Sequence, residues 1–177
     1  MVSAAAAPGQ ATGIRLAPHL TAAIAEELGE LPGSEPWRGE VLRRAAVFQD
    51  ELRSGSFDAV LAAAAKLVGL GEGSTPAGDD YLVGVLHALT AKDPAVASSH
   101  PLARALGGLG ECRTSAPSAA WLAAAARGEA SPVWRTLLGA LDAGDEVAVR
   151  TAARAVRSTG HTSGAFSLRG FLDTLAN

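Results

Sequence analysis

A glycine-rich segment, residues 69–80, carries the side chains of this sequence that are best suited to chemistry. It reads GLGEGSTPAGDD, so that two hydroxyl groups, a proline and two adjacent carboxylates accompany four glycines. Glycine permits positive φ angles and a close approach of the backbone, so a loop of this kind can point several N–H groups at one ligand. A helix that starts behind the loop adds further unpaired N–H groups, and the segment therefore predicts a binding site for a small anion.

The adjacent aspartates of this segment, Asp79 and Asp80, leave a structural interpretation open. Carboxylates in a first helical turn complement the helix dipole by ~0.3–1 kcal/mol, and they can also fix a loop by accepting backbone N–H groups. A carboxylate ~4 Å from a bound anion costs about 4 kcal/mol at a dielectric constant near 20. An anion would therefore need Arg113, a protonated His161 or a divalent cation beside it. No lysine follows the glycines, which excludes a Walker loop.

A second candidate segment, GHTSG at residues 160–164, lies at a junction between two predicted helices. Its outer residues resemble a helix end followed by a cap, but His161 adds a titratable group that a cap does not require. Both segments interrupt the helical pattern with small and polar residues. We therefore predict that they meet in space, with Asp79 or Asp80 in hydrogen-bonding reach of one of residues 161–163.

These segments supply the candidate site residues. We assign catalytic roles to Asp79, Asp80 and His161, and ligand contacts to Gly71, Gly73, Ser74, Thr75, Gly78, Arg113, Thr114, Ser115, Thr162, Ser163 and Gly164. No spacing typical of a metal motif is present, so no metal ligand is assigned, and a divalent cation remains an alternative cofactor. The other histidines, His19, His87 and His100, are predicted to be surface or core residues.

Helices must position these segments, because the composition leaves little from which to build a sheet. The chain has 39 alanines among 177 residues but only eight aromatic residues, and alanine is the strongest helix former. The apolar spacing predicts about eight helices in an all-α, compact single domain, with glycine-rich loops at helix N-termini. Ser56 and Asp145 are predicted N-caps, and Pro117 and Pro132 are predicted first-turn residues.

The domain organisation and the charge exclude several classes of protein. Residues 1–16 are small and unpatterned and are interpreted as a loose leader, and residues 17–177 as one helical domain. A net charge of −3 excludes the basic footprint of a nucleic-acid binder. No apolar run approaches the ~20 residues of a membrane span, and the lone Cys112 excludes an internal disulfide. We expect a cytoplasmic protein.

Residues 67–89, LVGLGEGSTPAGDDYLVGVLHAL, resemble the signature of a bacterial family in which the loop reads approximately GLGPGLTPSGDD. GHTSG before the last helix and TSAPSAAWLAAAARGE at 114–129 extend the resemblance over about residues 57–175. The family includes the AllH-type subunit of oxamate carbamoyltransferase. Glu72, Ser74 and Ala77 depart from its pattern, and its other members extend further at the N-terminus.

The resemblance implies a function in allantoin and purine catabolism. AllH-type subunits act with FdrA-like and AllG-like partners on carbamoyl phosphate and oxamate, so the chain is expected to be a carbamoyltransferase subunit that binds such a small anion. Two alternatives remain. A metal-assisted hydrolase or lyase would use Asp79, Asp80 and His161, and a non-catalytic assembly module would use the loops for docking.

The site is expected to depend on other chains. Bulky residues that exclude water are scarce near the glycine-rich loops, where Tyr81 is the only tyrosine. We therefore expect an open cleft at the two loops, and carbamoyl transfer only when partner subunits are present.

Overall fold

The computed structural model describes residues 17–32, 35–93 and 101–177, and every regular element within these ranges is an α-helix. The predicted all-α fold is therefore confirmed, with nine helices in the described residues against the expected eight. The predicted leader, residues 1–16, and His100 lie outside the described residues. The helices are α1 (Pro18–Leu28), α2 (Pro36–Ser54), α3 (Phe57–Ala65), α4 (Ala77–Lys92), α5 (Pro101–Gly108), α6 (Ala116–Ala126), α7 (Pro132–Ala143), α8 (Glu146–Arg157) and α9 (Ser163–Leu175).

The helix starts follow local sequence signals. The Ser56 hydroxyl accepts a hydrogen bond from the N–H of Ala59, and the Asp145 carboxylate accepts one from Ala148, as the predicted N-caps require. Pro117 and Pro132 lie in the first turns of their helices. Backbone N–H groups in a first turn have no intrahelical acceptor, so the N–H group that proline lacks is not needed there. Local chemistry therefore sets where these helices begin.

The centre of the fold is the pair α4 and α9, whose backbones touch. A Cβ atom built at Gly84 would lie 1.8 Å from the carbonyl oxygen of Ser167, and one at Gly170 would lie 2.0 Å from that of Tyr81. Any larger residue at either position would therefore force the two helices apart. The start of α9 lies beside the start of α4, where the hydroxyl groups of Thr75 and Ser163 are hydrogen-bonded.

Buried polar contacts also hold this pair together. The Tyr81 hydroxyl donates to Asp173 Oδ2 at 2.9 Å and accepts from Gln49 Nε2 at 2.9 Å, which ties α4 to α9 and α2. On another side, Arg154 of α8 pairs with Glu27 of α1 at 3.0 Å. None of the described helices combines the length and the apolar character needed to cross a membrane.

Candidate functional site

The two candidate segments meet at the start of α4, as the sequence predicts. The hydroxyl oxygens of Thr75 and Ser163 are 2.8 Å apart and share a hydrogen bond, although 88 residues separate them in the chain. Residues 114–115 reach the same place, because the Ser115 hydroxyl donates to the carbonyl oxygen of Ser74. Three separated polar segments therefore converge on the N-terminus of one helix.

Asp79 faces the interior of this junction. Its side chain is 1% exposed, with Oδ1 accepting the N–H of Gly69 at 2.9 Å and Oδ2 accepting the Thr114 hydroxyl. The carboxylate thus closes the glycine-rich loop onto its own helix and ties residues 113–115 to both. These contacts are those expected of a carboxylate that fixes the loop by accepting hydrogen bonds.

The glycines of the loop serve its backbone conformation and its packing. Gly71 and Gly73 have φ angles of +119° and +89°, a region that costs other residues strain. Gly78 has no unusual φ, but a Cβ atom there would lie 2.0 Å from the carbonyl oxygen of Leu67. The N–H groups of Gly78, Asp79 and Asp80 all donate to backbone carbonyl groups within 3.1 Å. These donors are therefore occupied within the chain.

A cavity of about 290 Å³ opens on the other side of the same helix start. Four predicted site residues line it: Thr75, Asp80, Ser163 and Gly164. The remaining lining residues come from helices α4 and α6 to α9 and the segments next to them, and they are Val83, His87, Trp121, Ala125, Glu129, Ser131, Val133, Trp134, Val156, Thr159, Gly160 and Ser167. The volume suits a small metabolite rather than a polymer.

Asp80 is the buried acid of this cavity. Its side chain is 9% exposed, and its Oδ2 atom has no hydrogen-bond partner among the described residues. Burial raises the pKa of Asp80 to about 7, a rise that the Ser163 and Thr75 hydroxyls oppose and the neighbouring charge of Asp79 supports. A buried carboxyl group that titrates near neutrality can hold or accept a proton in the physiological range.

His87 is a buried residue of α4 that lines the same cavity as Asp80. Its ring lies 4.6 Å from that of Trp134, and burial lowers its pKa to about 4, so the imidazole is neutral at pH 7. Asp80, Val83 and His87 follow an i, i+3, i+7 spacing, which places them on one face of α4. The burial of His87 agrees with the predicted surface or core position, and this spacing is the sequence signal that connects it with the cavity.

Several predicted site residues lie outside the cavity. His161 and Arg113 are exposed and do not line it, and neither does Thr162, which precedes the first residue of α9. Gly164 serves packing as well, because a Cβ atom there would lie 1.9 Å from the carbonyl oxygen of Val156. Within the described ranges, no three side chains of His, Cys, Asp or Glu converge to hold a metal ion. Asp79, Asp80 and His161, the residues of the metal-assisted alternative, therefore do not form such a group.

The expected scarcity of bulky walls is wrong. Trp121 and Trp134 line the cavity from α6 and α7, whereas Tyr81 is buried in the polar contacts with Asp173 and Gln49. Local sequence does not connect these tryptophans with the loop, because they lie 41 and 54 residues beyond Asp80 in the chain and helix packing alone brings them to the cavity. Trp121 is 51% exposed and stands at the rim.

Comparison with known proteins identifies one family. The family described as oxamate carbamoyltransferase subunit AllH matches residues 67–175, which is more than half of the 177 residues. The matched range contains all three converging segments and every lining residue of the cavity. No match was found among curated proteins or among solved structures.

Proposed function

The chain belongs to the AllH family of oxamate carbamoyltransferase subunits, and from this membership we propose that its cavity binds oxamate and that Asp80 serves there as a proton acceptor. The observation that carries the proposal is the position of Asp80. A buried carboxyl group with a pKa of about 7 lies in a cavity at the junction of the glycine-rich loop and GHTSG. The glycine-rich loops contribute the rim and the support of this site.

The chemistry asked of Asp80 is the removal of one proton. In carbamoyl transfer, the amide nitrogen of oxamate attacks the carbonyl carbon of carbamoyl phosphate. A C–N bond forms, the C–O bond to phosphate breaks, and phosphate leaves with the bonding electron pair. The proton that the nitrogen loses passes to Asp80. A carboxylate with a pKa near 7 is a stronger base than an ordinary aspartate, and a positioned base contributes about 10²–10⁴-fold to the rate.

The phosphate group of carbamoyl phosphate needs positive charge that this cavity does not offer. Among the described residues that line the cavity, Asp80 and Glu129 are acidic and none is lysine or arginine. The neutral His87 adds no charge at pH 7. We therefore assign the phosphate contacts to partner subunits, for which FdrA-like and AllG-like proteins are the candidates, in a cytoplasmic complex of allantoin breakdown.

The test is carbamoyl transfer by the reconstituted complex of this chain with its FdrA-like and AllG-like partners. Asp80→Asn keeps the size of the side chain but cannot accept the proton. We expect the variant to assemble with unchanged helical content while its rate falls about 10²–10⁴-fold. Asp142→Asn, at an exposed position of α7, is the matched control and should keep the wild-type rate.

The outcomes separate the proposal from its alternatives. An assembled Asp80→Asn complex that retains wild-type turnover would overturn the role of Asp80. An isolated chain that turns over carbamoyl phosphate and oxamate at about 1 mM without partners would contradict the shared site. The exposed Trp121 at the rim favours the alternative function, a non-catalytic assembly module, since aromatic residues are enriched in interfaces. In that case Trp121→Ala would abolish assembly while Asp80→Asn would change neither assembly nor rate.

A further inference from the structure

A serine hydroxyl group of the cavity interacts with the buried acid. Ser163, the first residue of α9, lines the cavity, and its hydroxyl oxygen is 2.8 Å from that of Thr75, which is also a lining residue. Both hydroxyl groups hydrogen-bond to the carboxyl group of Asp80. A serine becomes a nucleophile when a neighbouring base can accept its proton, so this pairing is one that nucleophilic catalysis uses.

The backbone leaves space beside the Ser163 oxygen. Gly160 also lines the cavity, with a φ angle of +64°, and a Cβ atom there would lie 3.4 Å from Ser163 Oγ. Glycine therefore keeps open a position that any other residue would fill in contact with this oxygen. Either hydroxyl of the Thr75–Ser163 pair can be the donor. When Thr75 donates to Ser163, the hydrogen of Ser163 is the one that Asp80 can remove.

The other lining residues favour an uncharged ligand with an aromatic part. The rings of Trp121 and Trp134 line the cavity, and none of the described lining residues is lysine or arginine. His87 is neutral at pH 7. Aromatic rings pack favourably on one another, whereas an anion would find no cation here. The volume of about 290 Å³ suits a small ester of an aromatic alcohol.

We propose that Ser163 is a nucleophile that takes acyl groups from small uncharged esters, with Asp80 as its base, and that the chain hydrolyses these esters without partner subunits. Ser163 Oγ attacks the ester carbonyl carbon and its proton passes to Asp80. The bond from that carbon to the alcohol oxygen breaks, and the alcohol leaves with the electron pair and the proton from Asp80. Water then attacks the acyl-serine and gives its proton to Asp80, which returns it to Ser163 as the carboxylic acid leaves.

The position of Ser163 at a helix start assists this reaction. Negative charge develops on the former carbonyl oxygen during each attack, and backbone N–H groups at a helix N-terminus can stabilise it. The side chain of Thr162 makes no cap hydrogen bond with the first turn of α9, so it does not compete for these donors. Asp80 needs no contact with the ester, because the proton that it accepts comes from Ser163 or from water.

The test is the hydrolysis of p-nitrophenyl acetate by the isolated full chain at pH 8, where the Asp80 carboxyl group is ionised. We expect p-nitrophenol release above the rate in buffer, and an acetyl group on the peptide that contains Ser163 after an acid quench and mass spectrometry. Ser163→Ala should lose both, and Asp80→Asn should lower the rate by about 10²–10⁴-fold. Ser54→Ala, at an exposed position of α2, is the matched control and should keep the wild-type rate.

A second substitution separates loss of the nucleophile from loss of the fold. Ser163→Cys keeps a nucleophile of similar size, so this variant should still be acetylated at the same peptide. An acetyl group on Lys66 or Lys92 instead, an unchanged rate in Ser163→Ala or Asp80→Asn, or a wild-type rate equal to that in buffer would each overturn the inference. The assay contains neither carbamoyl phosphate nor partner subunits, so its result is independent of the test of the proposed function.

Discussion

Two regions, the junction at the glycine-rich loop and the cavity, meet at the first turn of α4, and each contains one of two neighbouring aspartates. Asp79 faces the junction of the glycine-rich loop with residues 113–115, where both of its oxygens accept hydrogen bonds. Asp80 lines the cavity, and its buried Oδ2 atom accepts no hydrogen bond from a described residue. Successive helical residues point about 100° apart, so one dipeptide can hold a loop with one side chain and present an acid with the other.

The two regions make opposite contributions to stability. Asp79 satisfies two donors in the folded state. Asp80 has a folded pKa of about 7, above the ordinary value of 3.8, so the folded state binds its proton more tightly than the unfolded state. Stability then falls as pH rises from about 4 to about 7, by about 4 kcal/mol in total, because over this range the unfolded chain releases a proton that the folded chain still holds. This loss of stability is the consequence of having a basic carboxylate buried at the cavity.

The largest effect is expected from steric change in the junction region. Gly78→Ala would bring a Cβ atom to 2.0 Å from the backbone of Leu67, and the loop would have to separate from α4. We expect a loss of about 3 kcal/mol or more in the free energy of unfolding, measured by urea denaturation. Gly139→Ala is the control, because a Cβ atom there has open space and the substitution should stabilise α7 by about 0.5–1 kcal/mol. Equal stabilities for Gly78→Ala and the wild type would show that the junction is loose.

Two substitutions that each remove only a hydroxyl group should lower stability by a smaller amount, and by different amounts in the two regions. Thr114→Val removes the hydroxyl donor of buried Asp79 and leaves a carboxylate oxygen without a partner, at a cost of about 2 kcal/mol. Thr75→Val removes the hydroxyl partner of Ser163 at the cavity, where water can replace it, at a cost of about 1 kcal/mol or less. Thermal melts of the two variants provide the measurement. A larger loss for Thr75→Val would reverse the assignment of the two regions.

The sequence predicts those parts of the molecule that local chemistry determines. The caps at Ser56 and Asp145 follow from side chains that bond within their own turn, and the meeting of the loops follows from their shared break in the helical pattern. Which of Asp79 and Asp80 faces the junction and which lines the cavity depends on Thr114 and on the rotation of α4 about its axis. No local sequence pattern determines either of these. Trp121 and Trp134 reach the cavity through packing between distant helices, and His161 points to solvent for the same kind of reason.

Asp79 stabilises the fold, whereas Asp80 has its role in the cavity. The most direct test of this difference is the free energy of unfolding of Asp79→Asn, Asp80→Asn and the wild type, measured in urea at pH 8. Asparagine at position 79 cannot accept from both Gly69 and Thr114, so a loss of about 2 kcal/mol is expected. Asparagine at position 80 removes a buried charge, so that variant should be at least as stable as the wild type, and its advantage should disappear at pH 4. Comparable losses in both variants at pH 8 would contradict the account, because both aspartates would then be structural.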